Sequence, residues 1–326
     1  MDRGPIIIGG PDRCGKTLMR SLLVSHPNIA IPTIGSNYWT YFYGQFGDLS
    51  KRDNFECCLA AMLRYKHALS INPDSDRIRR EFWQGEPTYA RLFALFHQHY
   101  AEREGKPRWG DQTGLIERYV DVIFTAYPIA KMIHMIRDPR DRYEASITRF
   151  PQGKLKVGGA TARWRYSVGL AKRNQQRYPD RYKIVRYETL VCQPERTMRE
   201  VCAFLDEEFM PAMLMMEGAP GYRDKSGNRS NGETEQIPIS TAYIGRFRQV
   251  MSKREIAFMQ AYAGRDMLAY DYQLEPVQLS LSERLRFSFV DWPVNLARMF
   301  TWRTVEAVQH NFPAQVGRKP STGKMQ

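Results

Sequence analysis

The segment Pro5-Ile6-Ile7-Ile8-Gly9-Gly10-Pro11-Asp12-Arg13-Cys14-Gly15-Lys16-Thr17 begins as a short apolar run and continues as a glycine-bearing loop. Apolar residues then recur with helical spacing from Leu18 to Leu23. The pattern predicts a buried strand, a tight turn and the first turns of a helix. Backbone N–H groups of such a turn converge on one point, and the helix dipole makes that point positive. Because Arg13 and Lys16 add two full charges, we expect the loop to bind the phosphates of a nucleotide.

The composition is that of a folded, strongly basic protein. The chain has 326 residues, of which 43% are hydrophobic and 12% aromatic, and its formal net charge is +13. These values fit one large α/β domain with an extension and exclude an intrinsically disordered chain. The charge suits a polyanionic cofactor, a nucleic acid or an anionic membrane surface. No helix-turn-helix, zinc-finger or RNA-binding signature occurs, so no nucleic-acid partner is expected.

The cysteines and the first residues indicate a cellular compartment. The five cysteines show neither CxxC nor Cys/His ligand spacing, which argues against a disulfide framework and a zinc site and favours a reducing environment. The first predicted strand begins by Pro5, with no leader-like segment before it. No apolar run reaches the roughly 18 residues of a membrane span. We therefore expect a cytoplasmic protein that needs no metal.

Strand and helix patterns alternate along the chain. Apolar runs at 29–31, 131–136 and 182–187 predict three strands besides the first. Such alternation predicts an α/β fold, with a central parallel sheet in a three-layer α/β/α arrangement. Residues 108–113 are interpreted as a loop. Helices are expected at about 54–69, 74–83, 88–104, 115–127, 139–149, 160–178, 194–205, 208–216 and 252–264.

The end of the chain differs in character from the rest. We expect one domain over residues 1–275, a helical C-terminal extension over 276–312 and a disordered tail over 313–326. Two amphipathic basic patterns, at about 280–290 and 294–310, belong to the extension. They fit either a peripheral membrane contact or a cover packed on the domain, and packing is favoured. The sequence does not indicate an oligomeric state.

The first loop alone supports one interpretation that the rest of the chain opposes. Gly10 to Thr17 matches the P-loop pattern G-x-x-x-x-G-K-T, which predicts an ATP- or GTP-dependent kinase or NTPase. Such an enzyme also needs a strand that ends in a magnesium-binding Asp. The candidate strand at 131–136 is followed by Arg137 before Asp138. An arginine suits an anion better than a cation, so the kinase or NTPase is kept as the alternative.

Four motifs in order resemble the sulfotransferases that use 3′-phosphoadenosine 5′-phosphosulfate (PAPS), in particular their bacterial and tyrosylprotein-type branch. The likeness covers most of residues 5–275. It implies a P-loop-like sulfotransferase fold and in-line transfer of a sulfuryl group from PAPS to the hydroxyl of an acceptor that the sequence does not identify. The motifs are the first loop from Gly9 to Thr17, Trp109-Gly110-Asp111-Gln112-Thr113, Arg137-Asp138-Pro139-Arg140-Asp141 with Ser146, and Val185-Arg186-Tyr187-Glu188-Thr189-Leu190-Val191.

The resemblance also implies site residues. The first loop would hold the 5′-phosphosulfate, and the Arg and Ser of the third motif would hold the 3′-phosphate. The basic segment from Lys225 to Gly232, within a long loop at 218–240, would close over the nucleotide. Arg13 and Lys16 are expected to act in catalysis. Asp111 ranks first as general base, ahead of Asp12, Glu86, His134 and hydroxyls near Tyr38. The cofactor-binding residues would be Arg13, Cys14, Gly15, Lys16, Thr17, Arg137, Ser146, Tyr187, Lys225 and Arg229.

The chain departs from the family pattern at four positions. Lys16 replaces a small residue, and Gln112 stands where many members have a lysine. Ala145 occupies the usual place of the serine, so that Ser146 is one position late. Ile34 stands where the tyrosylprotein branch has a glutamate. We infer that Lys16 substitutes for the missing lysine, whereas the general base is not carried over by motif.

Three of these roles have structural alternatives. Arg137 could form a buried ion pair with Asp138 or Asp111 instead of binding phosphate. Ser146 could bond to its own helix backbone, and Tyr187 could belong to the core.

Overall fold

A parallel five-stranded sheet forms the centre of the protein. The computed structural model describes residues 4–69, 71–149, 156–222 and 239–311. The strand order is β2-β3-β1-β4-β5, and all neighbours are parallel. The strands are β1 (Ile6–Gly9), β2 (Ile29–Ala30), β3 (Arg108–Gln112), β4 (Lys131–Ile136) and β5 (Tyr182–Arg186).

Helices follow and precede these strands along most of the described chain. The α-helices are α1 (Lys16–Leu23), α2 (Tyr38–Tyr41), α3 (Arg52–Leu63), α4 (Lys66–Leu69), α5 (Ser75–Phe82), α6 (Tyr89–Arg103), α7 (Val120–Ala126), α8 (Pro139–Arg149), α9 (Val157–Arg177), α10 (Tyr187–Cys192), α11 (Pro194–Leu205), α12 (Phe247–Val250), α13 (Lys253–Ala269), α14 (Leu281–Arg286) and α15 (Trp292–Asn311). Short 3₁₀ turns span Ile116–Tyr119 and Pro211–Met213, and a π-helical turn spans Phe287–Asp291.

Alternate residues of the central strand enter different cores, which is why helices cover both faces of the sheet. Ile7 packs with the core formed by α3, α5 and α6. Ile6 and Ile8 point the other way and pack with α1, α10 and α11. The arrangement has three layers, as the alternating sequence pattern predicted.

The prediction of a loop at 108–113 is wrong, because these residues form β3 between β2 and β1. The strand is hidden in the sequence by its polar residues, each of which has a partner. Arg108 donates to the Gly4 carbonyl oxygen at 2.8 Å and pairs with Glu207 at 3.0 Å. A Cβ on Gly110 would overlap the backbone of β1. Tertiary contacts therefore stabilise a strand whose residues have low intrinsic strand propensity.

Other elements agree with the predictions more closely. β1, β4 and β5 lie where apolar runs placed them. The helix expected over 54–69 divides into α3 and α4, and the one expected at 208–216 contains a 3₁₀ turn. The helices α2, α10 and α12 were not predicted. The tail 313–326 and most of the loop 218–240, including Lys225 and Arg229, fall outside the described residues.

The C-terminal extension is a continuous helical run that packs on α9. Gly158 of α9 allows the close approach, since a Cβ there would overlap the backbone of Asn295, and its N–H donates to Asn295 Oδ1 at 3.3 Å. Trp302 stacks edge-on against Tyr166 of α9, with ring centroids 5.8 Å apart. The division of the chain at residue 275 stays a prediction. Among the described residues, no helix has the length and apolar character needed to cross a bilayer.

Candidate active site

The loop after β1 is pressed against neighbouring strand ends, which requires glycine at two positions. Gly10 and Gly15 have φ angles of +111° and +94°. A Cβ on Gly10 would overlap the carbonyl oxygen of Met135 in β4, and one on Gly15 would lie 2.7 Å from Cδ2 of Tyr187. Only glycine fits both backbone conformation and space. The loop is thereby fixed with the N-terminus of α1 at the carboxyl ends of the strands, where parallel sheets bind ligands.

Two arginines from different strand ends meet at this loop. Arg137 Nη1 donates to the carbonyl oxygen of Arg13 at 3.3 Å, and Arg13 Nε donates to the carbonyl oxygen of Ala145 at 3.3 Å. Burial lowers the pKa of the Arg13 guanidinium, and the nearby charges of Arg149 and Arg137 lower it further. Ser146 follows Ala145 in α8, and its binding of phosphate stays a prediction. The structure therefore brings together the two turns that the sequence marked.

Arg137 is held in place but retains an unsatisfied donor. It is 6% exposed, its Nη2 donates to the carbonyl oxygen of Tyr243 at 2.7 Å, and its guanidinium lies 4.6 Å from the ring centre of Tyr187. Its Nε is buried and has no hydrogen-bond partner among the described residues. A buried guanidinium N–H without an acceptor is costly unless an anion supplies one.

The alternative of an ion pair between Arg137 and a neighbouring acid is wrong for the described residues. Asp138 pairs with Arg140 instead, at 2.6 Å and 3.0 Å. The oxygens of Asp111 accept hydrogen bonds from other residues. Tyr187 is only 8% exposed, and burial raises its pKa to about 12, so it is a largely covered wall of the site.

Asp12 of the loop is bracketed by two arginines that sequence reasoning missed. Arg142 Nη2 lies 2.7 Å from its Oδ1, and Arg163 Nη1 lies 3.1 Å from the same atom. Burial acts to raise the pKa of Asp12, but the two guanidinium groups outweigh it and hold the pKa well below its ordinary value. Asp12 is therefore a weak proton acceptor and a brace for the loop. The sequence does offer a signal for Arg142, because this residue lies about one helical turn after Asp138.

Lys16 folds across its own loop. Its Nζ donates to the carbonyl oxygens of Gly10 at 2.7 Å and Pro11 at 2.6 Å.

Cys14 is fully buried and its Sγ donates to the Pro11 carbonyl oxygen at 2.7 Å, and burial raises the pKa of its thiol. The sulfur of Cys14 is therefore engaged inside the loop, and its binding of the cofactor stays a prediction. Thr17 is exposed at the start of α1.

Asp111 is a buried structural carboxylate that holds the segment after β2. It accepts hydrogen bonds from Ser36 N at 3.1 Å, Ser36 Oγ at 3.0 Å and Thr113 Oγ1 at 2.8 Å, and His97 Nε2 lies 3.5 Å away. Burial acts to raise its pKa, but His97 and these donors keep the pKa below its ordinary value. The carboxylate is fully buried. This geometry favours a positioning role over that of a base.

A second buried carboxylate, Glu117, holds the loop after β1 through a hydrogen bond and was missed by sequence reasoning. Its Oε2 accepts from Gly10 N at 3.0 Å, and its Oε1 accepts from Ser167 Oγ and lies 3.9 Å from His134 Nε2. Burial acts to raise the pKa of Glu117, but His134 and the hydrogen bonds lower it. His134, one of the candidate general bases, is fully buried and also contacts Tyr182, which is the environment of a core histidine.

The donor set fits a doubly phosphorylated nucleotide. Within the parts of the chain that the structure describes, the Nε atoms of Arg137 and Arg163 are buried and unpartnered. Backbone N–H groups, a helix N-terminus and guanidinium forks are the groups that proteins use for phosphates. Across residues 4–69, 71–149, 156–222 and 239–311, no cluster of three His, Cys, Asp or Glu could hold a metal ion. The cations gathered at the loop are Arg13, Lys16, Arg137, Arg142, Arg149 and Arg163.

A cavity of about 420 Å³ opens beside Lys16. Its wall from α15 is held by an ion pair between Arg118 and Glu306. A separate cavity of about 920 Å³ contains Glu86 and none of the loop's cations. The smaller cavity is lined by Asp12, Lys16, Asn37, Thr40, Tyr41, Gly114, Leu115, Arg118, Arg163, Trp302, Val305 and Glu306.

Comparison with known proteins identifies the family. The model of the sulfotransferase family matches residues 5–211. The chain belongs to the sulfotransferase family. Over 245 residues it is 26% identical to a protein-tyrosine sulfotransferase of Drosophila melanogaster. The matched region covers 72% of this chain and 42% of that protein. The chain thus spans less than half the length of this curated relative.

Solved structures show the same fold. The sulfotransferase domain of the Synechococcus PCC 7002 olefin synthase has a TM-score of 0.53 and 21% identity, over 83% of this chain and 95% of that domain. The mouse sulfotransferase SULT7A1, complexed with PAP, has a TM-score of 0.47 and 11% identity, over 82% of this chain and 84% of that one. The predicted sulfotransferase fold is confirmed by the first of these.

Proposed function

We propose that the protein is a PAPS-dependent sulfotransferase that transfers a sulfuryl group to the hydroxyl of an acceptor. The observation that carries the proposal is the meeting of Arg13 and Arg137, which come from the turns after two adjacent parallel strands. One molecule with a phosphate at each end of an adenosine can engage both turns. Membership of the sulfotransferase family supports the assignment.

The two phosphate groups of the donor would use different parts of the site. The backbone N–H groups from Arg13 to Thr17 and the Lys16 ammonium group would hold the 5′-phosphosulfate. Arg137 would hold the 3′-phosphate, with Arg13 and Ser146 beside it. The buried, unpartnered Nε of Arg137 supports this assignment. Tyr187 would form a wall next to the adenosine, and the roles of Lys225 and Arg229 stay predictions.

The residues of the loop can stabilise the transfer without taking part in covalent chemistry. The acceptor oxygen attacks sulfur, a new O–S bond forms, the S–O bond to the departing phosphate breaks, and the hydroxyl proton passes to solvent water. Negative charge builds on the oxygen that leaves with 3′,5′-adenosine bisphosphate. In this proposal, Lys16 and the N-terminal N–H groups of α1 would stabilise that charge, since preorganised donors at a developing charge lower the barrier. The sulfated acceptor and the bisphosphate are the products.

The acceptor hydroxyl would enter the 420 Å³ cavity, because Lys16 lines both this cavity and the loop. Tyr41 and Trp302 give the cavity aromatic walls, which suits a ring such as a phenol or a sugar. We assign Asp111 a positioning role, since it fixes Ser36 in the segment that leads to the cavity residue Asn37.

A thermal-shift measurement tests the proposal. The protein is heated with 3′,5′-adenosine bisphosphate, with ATP plus magnesium, or with a single-stranded oligonucleotide. The account predicts the largest rise in Tm for the bisphosphate, and the loss of that rise in Arg137→Ala. Arg196→Ala, which removes an exposed arginine of α11, should keep it. A larger rise with ATP and magnesium would overturn the proposal in favour of a P-loop kinase or NTPase.

A further inference from the structure

The C-terminal extension carries an unusually exposed apolar stripe. α14, the π-helical turn and α15 follow one another without interruption from Leu281 to Asn311. Large aromatic side chains are rarely left open to water on a soluble protein unless the surface binds something. The stripe consists of Leu281, Leu285, Phe289, Leu296 and Phe300, which are 75%, 52%, 77%, 37% and 74% exposed.

The opposite side of the same helical run is already used for packing. Trp292 stacks against Tyr262 of α13 with ring centroids 5.0 Å apart, and Met299 is buried against the domain. Asn295 contacts Gly158 of α9. The run is thus anchored by one face, and the apolar stripe is the face turned away from the protein.

The charges of this run that form no ion pair among the described residues are mainly positive. Glu283 caps its own helix by accepting from Ser280 N at 2.9 Å. Asp291 pairs with Arg254 at 2.8 Å, and Glu306 pairs with Arg118. Each acid from 281 to 308 is therefore engaged by the protein. Arg284, Arg286 and Arg303 form no ion pair with an acid among the described residues, whereas Arg298 donates to Asn295 Oδ1 at 3.1 Å and lines a cavity together with Glu255 and Asp291.

We propose that this surface, the exposed part of residues 281–308 with the apolar stripe and Arg284, Arg286 and Arg303, docks on an anionic phospholipid bilayer. The helix would lie in the plane of the interface with Phe289 and Phe300 below the headgroups and the arginines at the lipid phosphates. A second copy of the chain is a poorer occupant, because a symmetric contact through this face would bring arginine against arginine.

The position of the stripe relates it to the active site. Trp302 and Val305 of the same helix line the cavity beside Lys16. Docking would therefore hold the mouth of the acceptor cavity near the lipid surface. The lipid contact itself does not depend on the proposed sulfotransferase activity and is tested without it.

Vesicle co-sedimentation of the full 326-residue chain tests the proposal. We expect at least about tenfold tighter binding to phosphatidylcholine vesicles with roughly one-third phosphatidylglycerol than to pure phosphatidylcholine. Phe289→Ser with Phe300→Ser should weaken that binding at least about tenfold. Met215→Ser, which changes an apolar residue that is 51% exposed and lies outside the surface, should bind as wild type. Because these side chains are exposed, an unchanged Tm verifies that each variant is folded.

A second pair of variants separates charge from apolar insertion. Arg286→Gln with Arg303→Gln should weaken binding to the anionic vesicles about tenfold or more and reduce its dependence on salt. The proposal is overturned if wild type binds both kinds of vesicle equally or neither. It is also overturned if analytical ultracentrifugation shows a dimer that the Phe289/Phe300 variant abolishes while vesicles are not bound, since the face is then a contact between copies.

Discussion

The part of the site proposed to bind phosphate (the phosphate half) and the part proposed to bind the acceptor (the acceptor half) are built in different ways. The phosphate half consists of backbone turns at the ends of β1 and β4, fixed by glycines and by buried acids. The acceptor half is a cavity whose walls come from three distant segments around Tyr41, Arg118 and Trp302. The phosphate half depends on residues that are adjacent in the sequence, and it needs charged groups held in fixed positions. The second depends on how remote side chains pack, so it can vary without disturbing the first.

The largest effect is expected from removing the cation that both halves share. Lys16→Ala should lower turnover by about a hundredfold or more, because one preorganised donor at a developing negative charge is worth roughly 3–4 kcal/mol. Steady-state kinetics with saturating nucleotide measures it. Lys172→Ala, an exposed lysine of α9, is the matched control. A loss below about threefold would show that Lys16 only shields phosphate.

The second prediction concerns Glu117, the buried carboxylate that holds the loop of the phosphate half in place. Glu117→Ala should reduce the free energy of unfolding by about 3 kcal/mol, because Gly10 N–H and Ser167 lose their buried acceptor. Urea unfolding measures the change. Glu117→Gln keeps an acceptor for Gly10 and should cost less. Equal and small losses, under about 1 kcal/mol for both, would contradict the role of this carboxylate.

The independence of the two halves is tested from the acceptor side. Trp302→Ala should raise the KM for any acceptor that the wild type sulfates by about tenfold, since it removes an aromatic wall of the cavity. The Kd for the nucleotide should stay the same. Trp292→Ala, on the same helix but away from the cavity, is the matched variant. Parallel changes of acceptor KM and nucleotide Kd in Trp302→Ala would argue against separate halves.

The smallest expected effect is a pH dependence of stability. Burial lowers the pKa of His134 below its ordinary value of 6.5, although Glu117 opposes the shift and Lys16 adds to it. The unfolded chain then binds the proton more readily, so stability falls as pH drops below 6.5, by at most about 1.4 kcal/mol per pH unit.

His67 has a pKa shifted in the same direction, so the comparison must be made between wild type and His134→Gln. Urea unfolding at about pH 7.5 and about pH 5.5 should show a smaller loss of stability on acidification in the variant. The same loss in both proteins would mean that His134 is not neutral in the folded state.

The sequence predicted the parts of the molecule whose signals are local. β1, the glycine loop and Arg137 follow from residues adjacent in the chain. β3 was missed because Arg108 and Asp111 are poor strand formers that are satisfied by remote partners. The residues that hold the loop after β1 were missed for a related reason. Glu117 accepts a hydrogen bond from Gly10, which lies 107 residues earlier in the chain.

The acceptor half was the least predictable from sequence. The sequence pointed to hydroxyls near Tyr38, but Tyr38 itself is fully buried and donates to the Tyr89 carbonyl oxygen at 2.9 Å. Tyr41, three residues later, lines the cavity instead. A periodic pattern cannot show which of two neighbouring rings a distant helix will leave open. The partner helix α15 begins more than 200 residues further on.

The central claim is that Arg13 and Arg137 bind one nucleotide with phosphates at both ends. Isothermal titration calorimetry of 3′,5′-adenosine bisphosphate and adenosine 5′-phosphate, on wild type and Arg137→Ala, tests it most directly. The account predicts that wild type prefers the bisphosphate by at least about tenfold and that Arg137→Ala loses this preference, since a charge-assisted hydrogen bond contributes about 1.5–3 kcal/mol. Equal affinity of wild type for both nucleotides, or an unchanged preference in Arg137→Ala, would contradict it.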